Sequence, residues 1–181
     1  FSRVRNYFYL VDANIGGDTL HGLFKDPQLK TFVGQICILD GDHNNDMNNR
    51  VITLPGKDSP EKFLINYAQT LYDRDDRFWL SDVVLEENVG KDFYTHTFIP
   101  AVEKINEKIE SLKSQGKSTS GVMREETKKL FRQHQKFFHI IFDAWLVDNN
   151  NVSEINQFYN NLKAMYKKVA PIAGLDPDIW S

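Results

Sequence analysis

Two short apolar runs, each followed directly by turn-forming residues, constrain the fold of this chain more than any other feature. The run ICIL at 36–39 ends in the sequence DGD, and the run VITL at 51–54 ends in Pro-Gly. Continuous apolar runs of this length are typical of strands in a parallel sheet that is covered on both faces. The carboxyl ends of parallel strands lie along one edge, where open α/β sheets bind ligands. The sequence therefore predicts an α/β fold with a mostly parallel sheet and an acidic edge.

Other elements surround these two runs. Residues 4–11 (VRNYFYLV) predict a further strand, and 19–24 predict a short helix that Asp18 or Thr19 could cap. Pro27 limits the length of that helix. After the second run, the sequence predicts a helix from Ser59 to Leu71 and short helices over 73–92. Longer helices are predicted over 101–115, 124–147 and 154–169, and Ser153 is expected to cap the last of them. The tail that follows is expected to pack through Trp180.

These elements divide the chain into two regions. We expect an α/β core over 1–90 and an α-helical region over 91–181. The single cysteine, Cys37, excludes a disulfide framework and a cysteine-ligated zinc site. No apolar run is long enough to span a membrane and no signal peptide is visible, so we expect a cytoplasmic protein without a membrane partner.

Charge is unevenly distributed along the chain. The net charge is -3, but residues 113–136 hold seven basic residues against two acidic ones. Such a local excess either contacts phosphate groups or forms a solvated helix face, and charge alone does not decide between these interpretations.

The DGD sequence carries the most specific chemistry. Asp40 and Asp42 lie two residues apart, so their side chains share one face in extended geometry, and Gly41 lets the backbone bend. Carboxylate oxygens are the ligands that Mg²⁺ and Mn²⁺ prefer. An isolated DxD is also compatible with a surface turn, a glycosyltransferase metal motif or a phosphatase nucleophile. Ser59 and Glu61 follow the neighbouring strand and add a hydroxyl and a carboxylate to the same edge.

The combination of strand-DGD with strand-LPG-x-x-SPE, leading into a helix, resembles the Toprim (topoisomerase–primase) domain. It is most similar to the Toprim nuclease half of the overcoming-lysogenization-defect (OLD) family, which joins an ABC-type ATPase to a nuclease. Relatives act in bacterial anti-phage defence. The resemblance covers roughly residues 4–71 at motif level. It implies a metal-dependent DNA endonuclease with an ATPase domain in the same polypeptide, and we also expect a homo-oligomer.

The resemblance implies roles for particular residues. The family's metal ligands correspond to Asp40, Asp42, Ser59 and Glu61, which would hold two Mg²⁺ or Mn²⁺ ions. Its glycine turn corresponds to Gly16-Gly17. The best match to a lysine that steadies the scissile phosphate is Lys136, with three competitors on the same predicted helix: Lys128, Lys129 and Arg132. His43, next to the DGD sequence, could reach a metal or a phosphate, although loop histidines are more often exposed to solvent.

One departure from the family pattern limits these expectations. Toprim domains carry a glutamate at the end of their first strand, and residues 1–39 contain no glutamate. We therefore expect that strand and the ATPase to lie upstream of Phe1, and the isolated chain to be inactive. Two other functions are compatible with the motifs: a degenerate, non-catalytic Toprim module that senses or scaffolds, and a nucleotidyl or phosphoryl transferase that uses the same edge.

Overall fold

The structure is a computed structural model that describes residues 6, 8, 9, 11, 15–28, 34–74 and 76–180. The chain divides into two compact units: Phe1–Ser59 with Asn150–Ser181, and Pro60–Asn149. The described residues are mostly helical, and their strands form a two-stranded parallel sheet. The parallel pairing of the strands and the helices that follow them agree with the prediction, whereas the Toprim-like (Rossmann-like) sheet stays a prediction. The predicted boundary after residue 90 falls inside the second unit.

The sheet of the first unit pairs β1 (Cys37–Leu39) with β2 (Val51–Thr53) in parallel. Both strands were predicted from their apolar runs. The ladder continues past the strand ends, because the Leu54 amide donates to the Leu39 carbonyl oxygen at 2.8 Å. Alternate side chains of β1 are buried, whereas Ile38 is 38% exposed. The predicted coverage of both sheet faces is therefore incomplete at β1.

Two helices cover the sheet. Leu20 and Phe24 of α1 (Gly17–Lys25) pack against the buried side chains of β1, and α9 (Val152–Val169) packs against β2. The second contact forms the main core of this unit, built from Ile52, Leu162, Met165, Tyr166, Ala170 and Trp180. The Trp180 indole donates to the Tyr159 hydroxyl at 2.6 Å, which confirms that the tail packs through Trp180.

Two predicted helix caps in the first unit are wrong, and one predicted strand lies largely outside the described residues. Helix α1 starts after Gly16 without a side-chain cap, so neither Asp18 nor Thr19 caps it. The capping position of α9 is Asn151, and Ser153 lies inside the first turn. The predicted strand over 4–11 lies largely outside the described residues, and its described positions 6, 8, 9 and 11 are not in a strand.

The described residues of the second unit form helices and their connecting turns, with no strand. Helix α2 has the predicted apolar face, on which Leu64, Tyr67, Ala68 and Leu71 are buried. A π-helical turn, Tyr94–Phe98, joins α5 to α6 without a break. The helices of this unit are α2 (Pro60–Arg74), α3 (Asp76–Trp79), α4 (Asp82–Glu86), α5 (Lys91–Phe93), α6 (Ile99–Ser114), α7 (Ser120–Gln133) and α8 (Gln135–Val147). None of the described helices combines the length and apolar character needed to cross a membrane.

The prediction of one long helix over 124–147 is wrong, because His134 separates α7 from α8. Its backbone leaves the helical region, with φ -127° and ψ 38°. The imidazole packs edge-on against Phe93 and Phe98, with ring centroids 5.4 and 6.3 Å apart. After the break, α8 buries Phe137, Phe138, Ile140, Ile141 and Trp145. Both the histidine and the apolar helix after the break thus pack in the aromatic core.

Candidate functional site

The two loops that follow β1 and β2 contact each other through their backbones at Gly41. A Cβ atom on Gly41 would lie 2.9 Å from the Asp58 carbonyl oxygen, 2.9 Å from the Lys57 amide nitrogen and 3.0 Å from the Leu54 carbonyl oxygen. Side chains do not fit at such distances, so only glycine allows this approach. The DGD loop and the 54–59 loop therefore meet at the carboxyl edge of the parallel pair, as the sequence predicted for the acidic edge.

The DGD loop is a tight turn that leaves one carboxylate largely in solvent. The Asp40 carbonyl oxygen accepts a hydrogen bond from the His43 amide at 3.2 Å. Asp40 is partly buried, and the Asp42 side chain is 55% exposed. Two carboxylates of differing exposure thus project from a loop that is anchored by its backbone. The oxygen atoms of Asp42 remain open to a cation from the solvent side.

His43 lies between the DGD loop and the start of α1. Its Nε2 atom is 3.8 Å from Asp42 Oδ1, and its Nδ1 atom is 3.8 Å from Asp18 Oδ1. A Cβ atom on Gly17 would lie only 2.5 Å from His43 Nε2, so the glycine leaves room for the imidazole. The His43 side chain is 24% exposed, in contrast to the solvent-exposed loop histidine that is more usual. The predicted glycine turn Gly16-Gly17 therefore adjoins the DGD loop through this ring.

The loop between β1 and β2 is shaped by Asp46. Its carboxylate accepts hydrogen bonds from the Asn49 side chain at 2.8 Å and the Asn49 amide at 3.3 Å, and it contacts His21 Nε2 at 3.3 Å. The Asn49 hydrogen bond is the main reason that the pKa of Asp46 is lowered. The carboxylate fixes the 3₁₀ turn Met47–Asn49, which returns the chain to β2.

The 54–59 loop turns sharply before it reaches Ser59. Gly56 and Lys57 both have left-handed backbones, with φ 105° and 55°. For the non-glycine residue this conformation costs about 1 kcal/mol. The Gly56 amide donates to Glu154 Oε1 at 2.7 Å, and the Ser59 amide donates to Asp58 Oδ1 at 2.8 Å. These bonds hold the backbone that leads to the Ser59 hydroxyl.

The remaining predicted site residues lie in the second unit. Glu61 is in the first turn of α2, where the helix dipole favours a negative charge. Lys136 is in the first turn of α8, and its ammonium group donates to Glu87 Oε2 at 2.6 Å. The five predicted residues are thus divided between the units, with Asp40, Asp42 and Ser59 in the first, and Glu61 and Lys136 in the second.

A basic stripe runs along α7. We define it as Arg124, Lys128 and Arg132, which are spaced four residues apart and therefore about 6 Å apart along the helix axis. No salt bridge to these three side chains is found among the described residues. The opposite face carries the buried residues Thr127 and Leu130. The stripe is therefore a cationic surface open to a polyanion, although a solvated helix face has the same geometry.

The oxygen donors of the first unit, from Asp40, Asp42 and Ser59, are of the kind that a hard cation prefers. Two carboxylates and one hydroxyl lie on loops that are in backbone contact, and such oxygen donors suit Mg²⁺ or Mn²⁺. Within the described residues, no three histidine, cysteine, aspartate or glutamate side chains form a group that could hold a metal ion. Metal coordination by these residues therefore stays a prediction.

Sequence reasoning missed the hydrogen bond between Glu154 and Gly56, and it did not foresee the contact of Gly17 with His43. Glu154 is 98 residues from Gly56, so no local pattern could reveal their hydrogen bond. The contact of Gly17 had a signal in the Gly-Gly pair, because glycine is frequent where another group approaches the backbone.

Comparisons of the chain with protein family models, curated proteins and solved structures found no match. The assignment to the Toprim and OLD families therefore depends on the DGD and LPG-x-x-SPE motifs, and it stays a prediction.

Proposed function

We propose that this chain is the Toprim-like part of a divalent-metal-dependent DNA endonuclease that hydrolyses phosphodiester bonds. The observation that carries the proposal is the backbone contact between Gly41 and the 54–59 loop. That contact joins the two motif-bearing loops at the carboxyl edge of a parallel strand pair, where α/β proteins bind ligands.

In this proposal Asp40, Asp42, Ser59 and Glu61 hold Mg²⁺ or Mn²⁺. When bound, two such ions supply Lewis-acid stabilisation to the attacking and leaving oxygens of the phosphodiester. The exposed Asp42 carboxylate accepts the cation from solvent, and the partly buried Asp40 fixes its position. The Ser59 hydroxyl adds a neutral oxygen donor from the neighbouring loop.

Lys136 offsets the charge that develops on the phosphate. To do so, its ammonium group exchanges Glu87 for a phosphate oxygen, and the pair is exposed enough for this exchange to cost little. The basic stripe on α7 holds the nucleic-acid backbone and gives little sequence specificity, because phosphate contacts carry no base information.

The wider setting of the proposal comes from the family resemblance. The nuclease acts with an ATPase domain in the same polypeptide, as a homo-oligomer in the cytoplasm, in defence against phage.

The test is cleavage of plasmid DNA by the full-length protein in the presence of Mn²⁺. We expect Asp40→Asn to abolish cleavage and to leave the thermal unfolding midpoint nearly unchanged. Asp92→Asn, which removes the same charge from an exposed position on α5, serves as the matched control and retains activity. Cleavage by the Asp40 variant at the wild-type rate would rule out the proposed metal edge.

A second candidate function is a non-catalytic Toprim module that senses or scaffolds. It is favoured by the lack of a three-member group of metal-ligating side chains within the described part of the chain. Titration of Mn²⁺ into the full-length protein, followed by the electron paramagnetic resonance of the free ion, separates the two candidates. Loss of free Mn²⁺ signal on titration supports the nuclease, and an unchanged signal supports the scaffold.

A further inference from the structure

We infer that Glu154 is a positioning residue for the candidate metal edge, because its carboxylate holds the 54–59 loop against Gly41. The inference rests on the proposed function for its effect on metal binding. The loop geometry itself is independent of that function.

The contact between Glu154 and the loop is specific. Glu154 Oε1 accepts a hydrogen bond of 2.7 Å from the Gly56 amide, and the carboxylate is partly buried in the first turn of α9. Hydrogen bonds to an ionised acceptor are shorter and stronger than neutral ones. Lys57, the next residue, has a left-handed backbone, which costs a non-glycine residue about 1 kcal/mol. The carboxylate therefore holds the turn directly before its strained residue.

The same turn determines the contact with the DGD loop. The Lys57 amide nitrogen and the Asp58 carbonyl oxygen follow Gly56 directly, and both lie 2.9 Å from the position that a Cβ atom of Gly41 would take. Glu154 thus binds the loop at Gly56, and the next two residues, Lys57 and Asp58, pack against Gly41. A shift of Gly56 moves the backbone that carries Ser59 and loosens the turn that carries Asp40 and Asp42.

The other end of α9 offers a matched control. Lys168 donates from its ammonium group to the Met47 carbonyl oxygen at 3.0 Å. This bond also ties α9 to a loop of the first unit, but at the 3₁₀ turn that precedes β2, which is the opposite edge of the strand pair. Removal of Lys168 therefore tests the general attachment of α9 without touching the candidate metal edge.

The experiment measures the affinity of the full-length protein for Mn²⁺ alone, in the wild type and in the Glu154→Ala, Glu154→Gln and Lys168→Ala variants. We expect Glu154→Ala to weaken binding about 10- to 100-fold, as the loss of residues that orient metal ligands does. Glutamine recovers most of the affinity, since its amide oxygen accepts the same hydrogen bond. Lys168→Ala binds like the wild type. Wild-type affinity in Glu154→Ala, or an equal loss in Lys168→Ala, would overturn the inference.

A second measurement separates this inference from the proposed function. Amide NMR resonances of Gly41 and Gly56 report the loop in metal-free protein. We expect Glu154→Ala to shift both resonances and to accelerate hydrogen exchange at Gly56, whereas Lys168→Ala leaves both unchanged. If the wild type binds no Mn²⁺ but these shifts occur, the proposed function fails and the positioning role of Glu154 holds. If Gly41 and Gly56 are unaffected in Glu154→Ala, the positioning role fails.

Discussion

The Tyr67 hydroxyl donates a hydrogen bond of 2.8 Å to Asp148 Oδ2 and so joins the middle of α2 to the residue that follows α8. The Arg74 guanidinium pairs with the same carboxylate oxygen and lies 5.8 Å from the centre of the Tyr67 ring. Burial, followed by the interactions with Asp148, raises the pKa of Tyr67 to about 12. The phenol therefore acts as a neutral donor to an ion pair, and this arrangement connects two helices of the second unit.

This arrangement predicts a loss of stability in alkaline solution. The folded pKa of Tyr67 is about 12 and the unfolded value about 10, so the folded state keeps a proton that the unfolded state loses. Stability from this group is complete below about pH 10 and is lost as pH rises towards about 12, by about 3 kcal/mol in all. Burial raises the pKa of Tyr94 to about 12 as well, so it contributes a second, similar loss.

Urea denaturation across this pH range measures the effect. Tyr67→Phe removes the hydrogen bonds of the hydroxyl with Asp148 and Arg74 and lowers stability at neutral pH by about 1–2 kcal/mol. It also makes the alkaline loss shallower, because Tyr67 no longer contributes, whereas Tyr94 and Cys37, whose pKa burial raises to about 11, still do. An alkaline loss in the variant as steep as in the wild type would contradict the role assigned to Tyr67.

Gly41→Ala should destabilise the first unit. The added Cβ meets two backbone atoms at 2.9 Å, and backbone cannot move aside as a flexible side chain can. We expect a loss of about 1–3 kcal/mol in the free energy of unfolding, together with weaker Mn²⁺ binding. Gly121→Ala is the matched control, because a Cβ there meets nothing within 4 Å and alanine stabilises a helix by roughly 0.5–1 kcal/mol. Equal effects of the two substitutions would show that the contact at Gly41 is not tight.

Lys136 pairs with Glu87, and variants of the two residues can separate a structural role of Lys136 from a catalytic one. The lysine side chain is 76% exposed, so either Lys136→Ala or Glu87→Gln should change stability by only about 0–1 kcal/mol. If Lys136 contacts the scissile phosphate, the alanine variant loses plasmid cleavage and the Glu87 variant retains it. Loss of cleavage in both variants would assign the effect to the ion pair instead.

The basic stripe predicts a salt-dependent interaction with DNA. Lys128→Ala should weaken binding of DNA of any sequence and reduce the slope of log affinity against log salt by about 0.9, the value for one lost phosphate contact. Lys104→Ala, at an exposed position on α6, removes the same charge away from the stripe and should leave the slope unchanged. An unaltered slope in Lys128→Ala would support the interpretation as a solvated helix face.

The sequence was sufficient to predict the strand pair and most helices, because their apolar positions recur with a simple period. It could not predict the break at His134. The buried residues Leu130, Phe138 and Ile141 keep helical spacing on both sides of the histidine, so the pattern continues where the backbone does not. Neither proline nor glycine marks the site.

The sequence predicted the meeting of the two loops at the candidate site but not the residue that holds one of them. The meeting of the DGD and 54–59 loops follows from the geometry of parallel strands, so the local motifs contain it. The partner of Gly56 does not follow, because Glu154 belongs to a distant helix. Any amphipathic helix with an acidic first turn could have covered β2, and only the tertiary packing selects α9.

The interleaved order of the two units has a consequence for synthesis of the protein. Ile52 is buried by side chains of α9, which leaves the ribosome only after the whole of Pro60–Asn149. At typical translation rates, the strands wait roughly 5–20 s for the helix that covers them. The second unit has time to collapse during this interval, while the nascent sheet remains a target for chaperones and proteases. The first unit, which carries the candidate metal edge, is therefore completed only after the whole of the second unit has been synthesised.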